Sequence, residues 1–216
     1  MSHKLVLLDL ETQRDFFLLH GPCSVPESPV ALHHILELFT WARRENIFVI
    51  STVLRNRPGQ HSTTTDIPHC IEGTKGEIKA RGTLLPNRIN LGMHNDTDIP
   101  SDLLESYQQA IFEKRTNNIF THAKLERLIS EIPTATFIIC GAGMVHIAAH
   151  AAIGLRSRGS GVILASDATT TVDIPAGKMA QLRMKAKGVV FARTSQIVSQ
   201  SSIHITTTIR EKDRAG

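Results

Sequence analysis

The sequence predicts a three-layer α/β/α domain, an open and mostly parallel sheet with helices on both faces, and three observations carry that expectation. Short apolar runs suited to buried strands alternate with longer stretches in which apolar residues recur at helical spacing. Turn-forming residues cluster between them. The chain has 216 residues, 41% of them apolar, enough for one sizeable core with little left for a second.

The elements follow in order. Lys4 to Leu10 is an apolar run fit for a buried parallel strand, with Asp9 near its C-terminal end. A loop through His20, Gly21, Pro22, Cys23 and Pro26 leads to a helix start at Ser28-Pro29, Ser28 as N-cap and Pro29 as first helical residue. Ala31, Ile35, Leu38, Phe39 and Ala42 keep helical spacing, and Ile47 to Val53 completes a βαβ unit. Residues 55–101, rich in turn formers, read as a long excursion at the strand ends, with a short strand at Arg88 to Leu91. Tyr107 to Glu113 is the next expected strand, placing Lys114 just after it. Then come a helix (His122 to Ile132), a strand (Thr136 to Cys140), a helix (Met144 to Arg158), a strand (Gly161 to Ser166), a helix (Ile174 to Lys187) and a short strand (Val189 to Ala192). Residues 1–198 form the expected domain. Residues 199–216 are a polar tail with a β-like stretch at Ile203 to Ile209, a candidate for an oligomer interface.

Composition narrows the function. The formal charge is +4 and the isoelectric point about 9.1, yet no Lys/Arg block is long enough to track phosphates, so no nucleic-acid partner is expected. Arg183, Lys185 and Lys187 read as a solvated helix face. No window reaches the roughly 20 apolar residues of a membrane span, and no secretory leader is apparent. Three unpatterned cysteines, Cys23, Cys70 and Cys140, fit a reducing, cytoplasmic setting.

Ligands of such sheets gather at strand C-termini, where Asp9, Lys114 and the Cys140-Gly141-Ala142-Gly143 turn all fall. Asp9 is either a turn-capping carboxylate or a general acid or base tuned by a nearby cation. Lys114 matters through its expected pairing with Asp9. Gly141, Ala142 and Gly143 open a helix and can aim backbone N–H groups at a ligand oxygen. Cys140 is either buried and inert or made reactive by the helix N-terminus. His146 and His150 have the i, i+4 spacing of zinc ligands but lack the intervening Glu of the protease pattern, and His69-Cys70 near His61 is a looser cluster. No metal and no cofactor are expected. Arg55 and Arg57 either meet an anionic ligand or lie in a solvated loop.

Four segments in the right order resemble the isochorismatase-like, or cysteine hydrolase, superfamily. Leu7-Leu8-Asp9-Leu10-Glu11-Thr12-Gln13 with Asp15-Phe16-Phe17 resembles its hydrophobic-Asp-x-Gln-x-x-Phe start, which assigns the family's acid to Asp9. His69 to Gly76 resembles its His-Cys-x-x-Gly-Thr-x-Gly segment. Phe112-Glu113-Lys114-Arg115 resembles the stretch with the catalytic lysine, and Phe137 to Gly141 with the following helix resembles the region of the nucleophile. The resemblance implies a cysteine six residues after Gly141, and Ile147 stands there. Counting back twelve from Gly159 reaches the same residue. The nicotinamidase branch would also need Asp-x-His after the second strand, where Arg55-Asn56-Arg57-Pro58 is found.

Three readings follow. Hydrolysis proceeds without a covalent step, with Asp9 as general acid or base beside Lys114; or Cys140 or Cys70 replaces the lost thiol; or the domain is catalytically degenerate and binds a small molecule or a partner. The expectation is the third, with the first as its alternative. His146 and Cys140 join the Gly141 turn as ligand-binding candidates, and the resemblance implies a homo-oligomer.

Overall fold

The computed structural model describes residues 5–59 and 67–200. Its strands are β1 (Leu5–Leu10), β2 (Phe48–Leu54), β3 (Arg88–Asn90), β4 (Gln109–Lys114), β5 (Thr136–Gly141), β6 (Gly161–Thr169) and β7 (Val190–Ala192). Its helices are α1 (Arg14–Phe17), α2 (Ser28–Arg44), α3 (Leu103–Ser106), α4 (Ala123–Glu131), α5 (Ala149–Ser157), α6 (Ile174–Ala186) and α7 (Thr194–Val198). A 3₁₀ turn at Ile119–Thr121 precedes α4, and a π-helical turn at Met144–Ala148 leads into α5.

The sheet order is β3-β4-β2-β1-β5-β6-β7, and every pairing is parallel. Every residue of β1, β2 and β5 is buried, which is why these strands read as unbroken apolar runs without alternation. From β1 the chain steps outward one way to β2 and later, from β5, the other way to β6. Right-handed crossovers then place α2 and α5 on opposite faces. Between β1 and β5 the direction of winding reverses, and an open α/β sheet has its crevice at such a point.

Element boundaries match the sequence reading to within three residues for most elements. The π turn is an exception, since a plain helix is expected from Met144; π turns concentrate at functional sites. Ser28 is also corrected. It is the first residue of α2, after Glu27. Its buried hydroxyl donates to the Phe16 carbonyl (2.8 Å) and accepts from the Val25 N–H (3.0 Å), so it clamps the β1–α2 loop to α1. Residues 203–209 lie outside the described residues.

Gly141 shows why β5 ends where it does. Its φ is +121°, and a Cβ there would come within 2.0 Å of the Leu10 carbonyl oxygen. Only glycine lets the strand turn this tightly against β1.

Candidate active site

Sheet register decides which side chains can meet. Asp9 lies beside Ser51 of β2, and Lys114 lies beside Leu54. Ser51 and Leu54 are three residues apart, and strand side chains alternate faces with a period of two. Asp9 and Lys114 therefore project to opposite faces of the sheet, and the expected pair between them is not formed.

Asp9 is fully buried in a different network. Its Oδ2 accepts from Lys79 Nζ at 2.6 Å and from Ser51 Oγ at 2.7 Å, while Thr12 Oγ1 donates to Oδ1. Ser51 Oγ in turn accepts from Gln109 Nε2 at 2.8 Å. The Gln109 amide also donates to the Thr83 carbonyl (2.9 Å) and accepts from the Leu85 N–H (2.7 Å). The excursion of residues 55–101 is thus nailed to the sheet through Asp9 and Gln109. Gln13 adds a second nail: its amide donates to the carbonyls of Leu54 and Glu77, both at 2.8 Å, and accepts from the Leu54 N–H.

Lys114, also buried, bonds Glu11 and the Thr116 carbonyl, the latter at 2.8 Å. Glu11 follows the last residue of β1 with φ +52°, a left-handed conformation that breaks the strand's alternation of faces. Among the described residues its other oxygen, Oε2, has no hydrogen-bond partner. The acid on Lys114 is therefore Glu11, a residue the sequence reading passed over. The signal was present: in acid-x-Gln-x-x-Phe, counting back from Gln13 and Phe16 lands on Glu11, two residues after Asp9.

Only three described non-glycine residues have positive φ, and two of them, Glu11 and Cys70, belong to this region. Held strain of this kind gathers at functional sites. The Cys70 N–H donates to Asp15 Oδ2 at 2.6 Å. Gly76 packs so closely that a Cβ would fall 2.1 Å from Asp15 Oδ1. Asp15 thereby anchors the His69–Gly76 segment over the strand ends.

A cavity of about 650 Å³ opens at this end of the sheet. Phe16, Val25, Ile67, Met144, Ile147 and Val172 supply apolar wall, and Cys23, His69, Asn117, His146 and Asp173 supply polar groups. Ile147 is buried in the π turn, its side chain against Gly143, and contributes to the cavity wall. Of the ligand-binding candidates, Gly143 and His146 line the cavity. Gly141, Ala142 and Cys140 do not, and neither do Asp9, Glu11 and Lys114. The Ala142 N–H is spent on the Leu10 carbonyl at 2.8 Å.

Burial pushes the Cys140 thiol far up, reinforced by the Asp9 carboxylate on the same sheet face. Cys70 is likewise pushed up by burial and by the field of Glu11 and Asp15. Cys23, half-buried at the cavity wall, is raised to about 11 by burial and by Asp15. None of the three is set up as a thiolate nucleophile at neutral pH.

Arg55 is held by Glu77 (Nη1–Oε2, 3.0 Å) and Glu113 (Nη2–Oε1, 3.0 Å), so it is engaged within the protein. His150 is exposed on α5. Among the described residues no group of three or more His, Cys, Asp or Glu side chains is arranged to hold a metal ion, and no helix is long and apolar enough to cross a membrane.

Solved structures share this fold. The structure is similar to a nicotinamidase/pyrazinamidase from Bacillus subtilis, with TM-score 0.70 and 18% identity over 88% of this chain and 100% of that one. It is similar to an isochorismatase family protein from Desulfovibrio vulgaris, with TM-score 0.70 and 16% identity over 92% and 100%. It is also similar to an N-carbamoylsarcosine amidase from Thermoplasma acidophilum, with TM-score 0.63 and 16% identity over 88% and 96%. No curated protein matches the sequence. The family model for the isochorismatase domain matches residues 5–196, and the chain belongs to the isochorismatase family.

Proposed function

We propose that this chain is a member of the hydrolase family that has lost thiol chemistry and binds a small molecule in the cavity over Ile147. The observation that carries the reading is the residue at the cavity wall. An isoleucine stands where the family resemblance puts the nucleophile, and an alkyl side chain can neither attack a carbonyl nor carry an acyl group. The thiols at hand do not replace it: Cys140 and Cys70 are buried and held protonated, and Cys23 at about 11 carries little thiolate near pH 7.

The retained parts then have structural tasks. Lys114 neutralises Glu11 beneath the strand ends, and Asp9 with Lys79 fastens the excursion that supplies His69 and Ile67 to the cavity. An apolar wall with a few convergent polar groups is the usual make-up of a small-molecule site. The test is an NMR titration of the full chain with nicotinamide and pyrazinamide. The expected result is a bound state localised to Phe16, His69 and Ile147 with the added compound unchanged, and loss of that binding in Ile147→Trp. Conversion of the compound during the titration overturns the reading.

One observation favours a second reading, an active hydrolase without a covalent intermediate. Glu11 Oε2 is buried with no partner among the described residues, as a general acid or base would keep an oxygen free. The alternative expected from sequence, Asp9 acting beside Lys114, takes this form once the partner of Lys114 is Glu11. Turnover by the unaltered chain that Glu11→Gln abolishes, in protein that circular dichroism shows to be folded, would establish it. A homo-oligomer is part of the proposal as well, and light scattering of the purified chain measures it.

A further inference from the structure

The cavity also carries information about what it selects. We infer that His69 is the residue that anchors the ligand, through a hydrogen-bond acceptor at Nε2, and that the site takes planar, uncharged molecules bearing an N–H or O–H donor while rejecting carboxylates. The inference rests on the proposal that the cavity over Ile147 is a binding site.

His69 is 3% exposed and lines the cavity. Its Nδ1 lies 2.8 Å from the Ile67 carbonyl oxygen. A carbonyl oxygen only accepts, so Nδ1 carries the hydrogen, and in the neutral ring Nε2 is left with its lone pair. Among the described residues Nε2 has no partner in any hydrogen bond or ion pair. The ring is fixed edge-on against Phe16, with centroids 5.3 Å apart and planes at 66°, so both its tautomer and its orientation are set before a ligand arrives.

The rest of the wall agrees in sign. The described lining includes no lysine and no arginine, so a bound carboxylate would meet no fixed cation. Its one carboxyl side chain is that of Asp173, which also accepts from the Ala176 N–H at 2.9 Å at the start of α6. An anion entering this cavity gives up water, meets no lysine or arginine in the described lining, and faces the Nε2 lone pair and the Asp173 carboxylate. A neutral donor gains the Nε2 bond, and a flat body gains Phe16, Val25, Met144 and Ile147 as walls.

The experiment uses three planar molecules of nearly equal size, benzamide, benzoate and acetophenone, titrated into the full chain at neutral pH. Binding is followed at cavity residues by NMR, with ¹⁵N-labelled histidine reporting the His69 ring. Benzamide is expected to bind at least tenfold more tightly than benzoate and several-fold more tightly than acetophenone, which accepts but does not donate. Its addition is expected to move the His69 Nε2 resonance with Nδ1 still protonated. His69→Phe keeps a ring on Phe16 and is expected to erase the preference for benzamide over acetophenone. Benzoate binding as tightly as benzamide, or an unmoved His69 Nε2 signal in the benzamide complex, overturns this inference and leaves the cavity as a binding site. Failure of all three to perturb cavity residues overturns the binding proposal, and this inference with it.

Discussion

Replacing the buried ions one at a time and in pairs separates the two charge networks thermodynamically. The perturbations are Asp9→Asn, Lys79→Met, Glu11→Gln and Lys114→Met, with the three doubles Asp9/Lys79, Glu11/Lys114 and Asp9/Lys114. Asp9 and Glu11 are both 0% exposed, and Lys79 and Lys114 are 5% and 3% exposed, so removing either lysine strands a carboxylate out of reach of water. Breaking one partner of such a pair costs about 3–5 kcal/mol, close to the whole stability of a marginal domain. The doubles Asp9/Lys79 and Glu11/Lys114 remove both charges, so each is expected to be less damaging than the sum of its singles by about 1–3 kcal/mol. Asp9 and Lys114 lie on opposite faces of the sheet and share no partner, so that double is expected to be additive within about 0.5 kcal/mol. Urea unfolding followed by circular dichroism, with m held common across the set, measures every corner of the three cycles. Coupling above about 1 kcal/mol between Asp9 and Lys114, or its absence between Glu11 and Lys114, would refute the register argument.

Other consequences are as direct. Cys23, raised to about 11, is expected to react slowly with iodoacetamide at pH 7 and about tenfold faster per pH unit until its titration near 11, as the thiolate fraction grows; a rate that is flat from pH 7 to 9 contradicts the assignment. Cys70 and Cys140 are expected to stay unlabelled in the folded chain, which peptide mass spectrometry checks. Because all three thiols are raised on folding from 9.0, the protonated form is the one the fold favours; their contribution is complete below pH 9 and is lost as pH rises through the folded values, so urea midpoints should fall in alkali and not between pH 6 and 8 from this cause. Gly141→Ala forces a side chain into the Leu10 backbone at a left-handed φ and is expected to cost more than about 3 kcal/mol, whereas Gly59→Ala, with open space around its Cβ, should cost about 1 kcal/mol; comparable midpoints for the two variants would refute the close-approach argument.

The architecture was legible because buried parallel strands leave a plain trace. Leu5–Leu10, Phe48–Leu54 and Thr136–Gly141 are apolar on both faces, and helices between them keep a 3.6-residue period. The site was legible in its positions more than in its pairings. Lys114, the Gly141 turn and Ile147 sit at the strand ends as expected, but which carboxylate meets Lys114 depends on strand register and on one left-handed residue, Glu11. A composition-level reading of a strand carries neither. Lys79 was out of reach for a different reason. It comes from an excursion with almost no regular structure and joins Asp9 across 70 residues, a contact no local periodicity encodes. His69 was visible as a loose possible metal ligand and as the start of the family-like segment to Gly76, but its hydrogen-bonding state was not, since its tautomer is set by a carbonyl two residues away and its orientation by Phe16.

On the function proposed above, the chain holds a small molecule over Ile147 without thiol catalysis. Ammonia release by the unaltered chain from nicotinamide, pyrazinamide and benzamide, measured with and without prior iodoacetamide treatment, tests it most directly. Release no greater than the buffer blank is expected in both cases. Release that iodoacetamide abolishes would contradict it, because a cysteine would then be doing the work that Ile147 cannot.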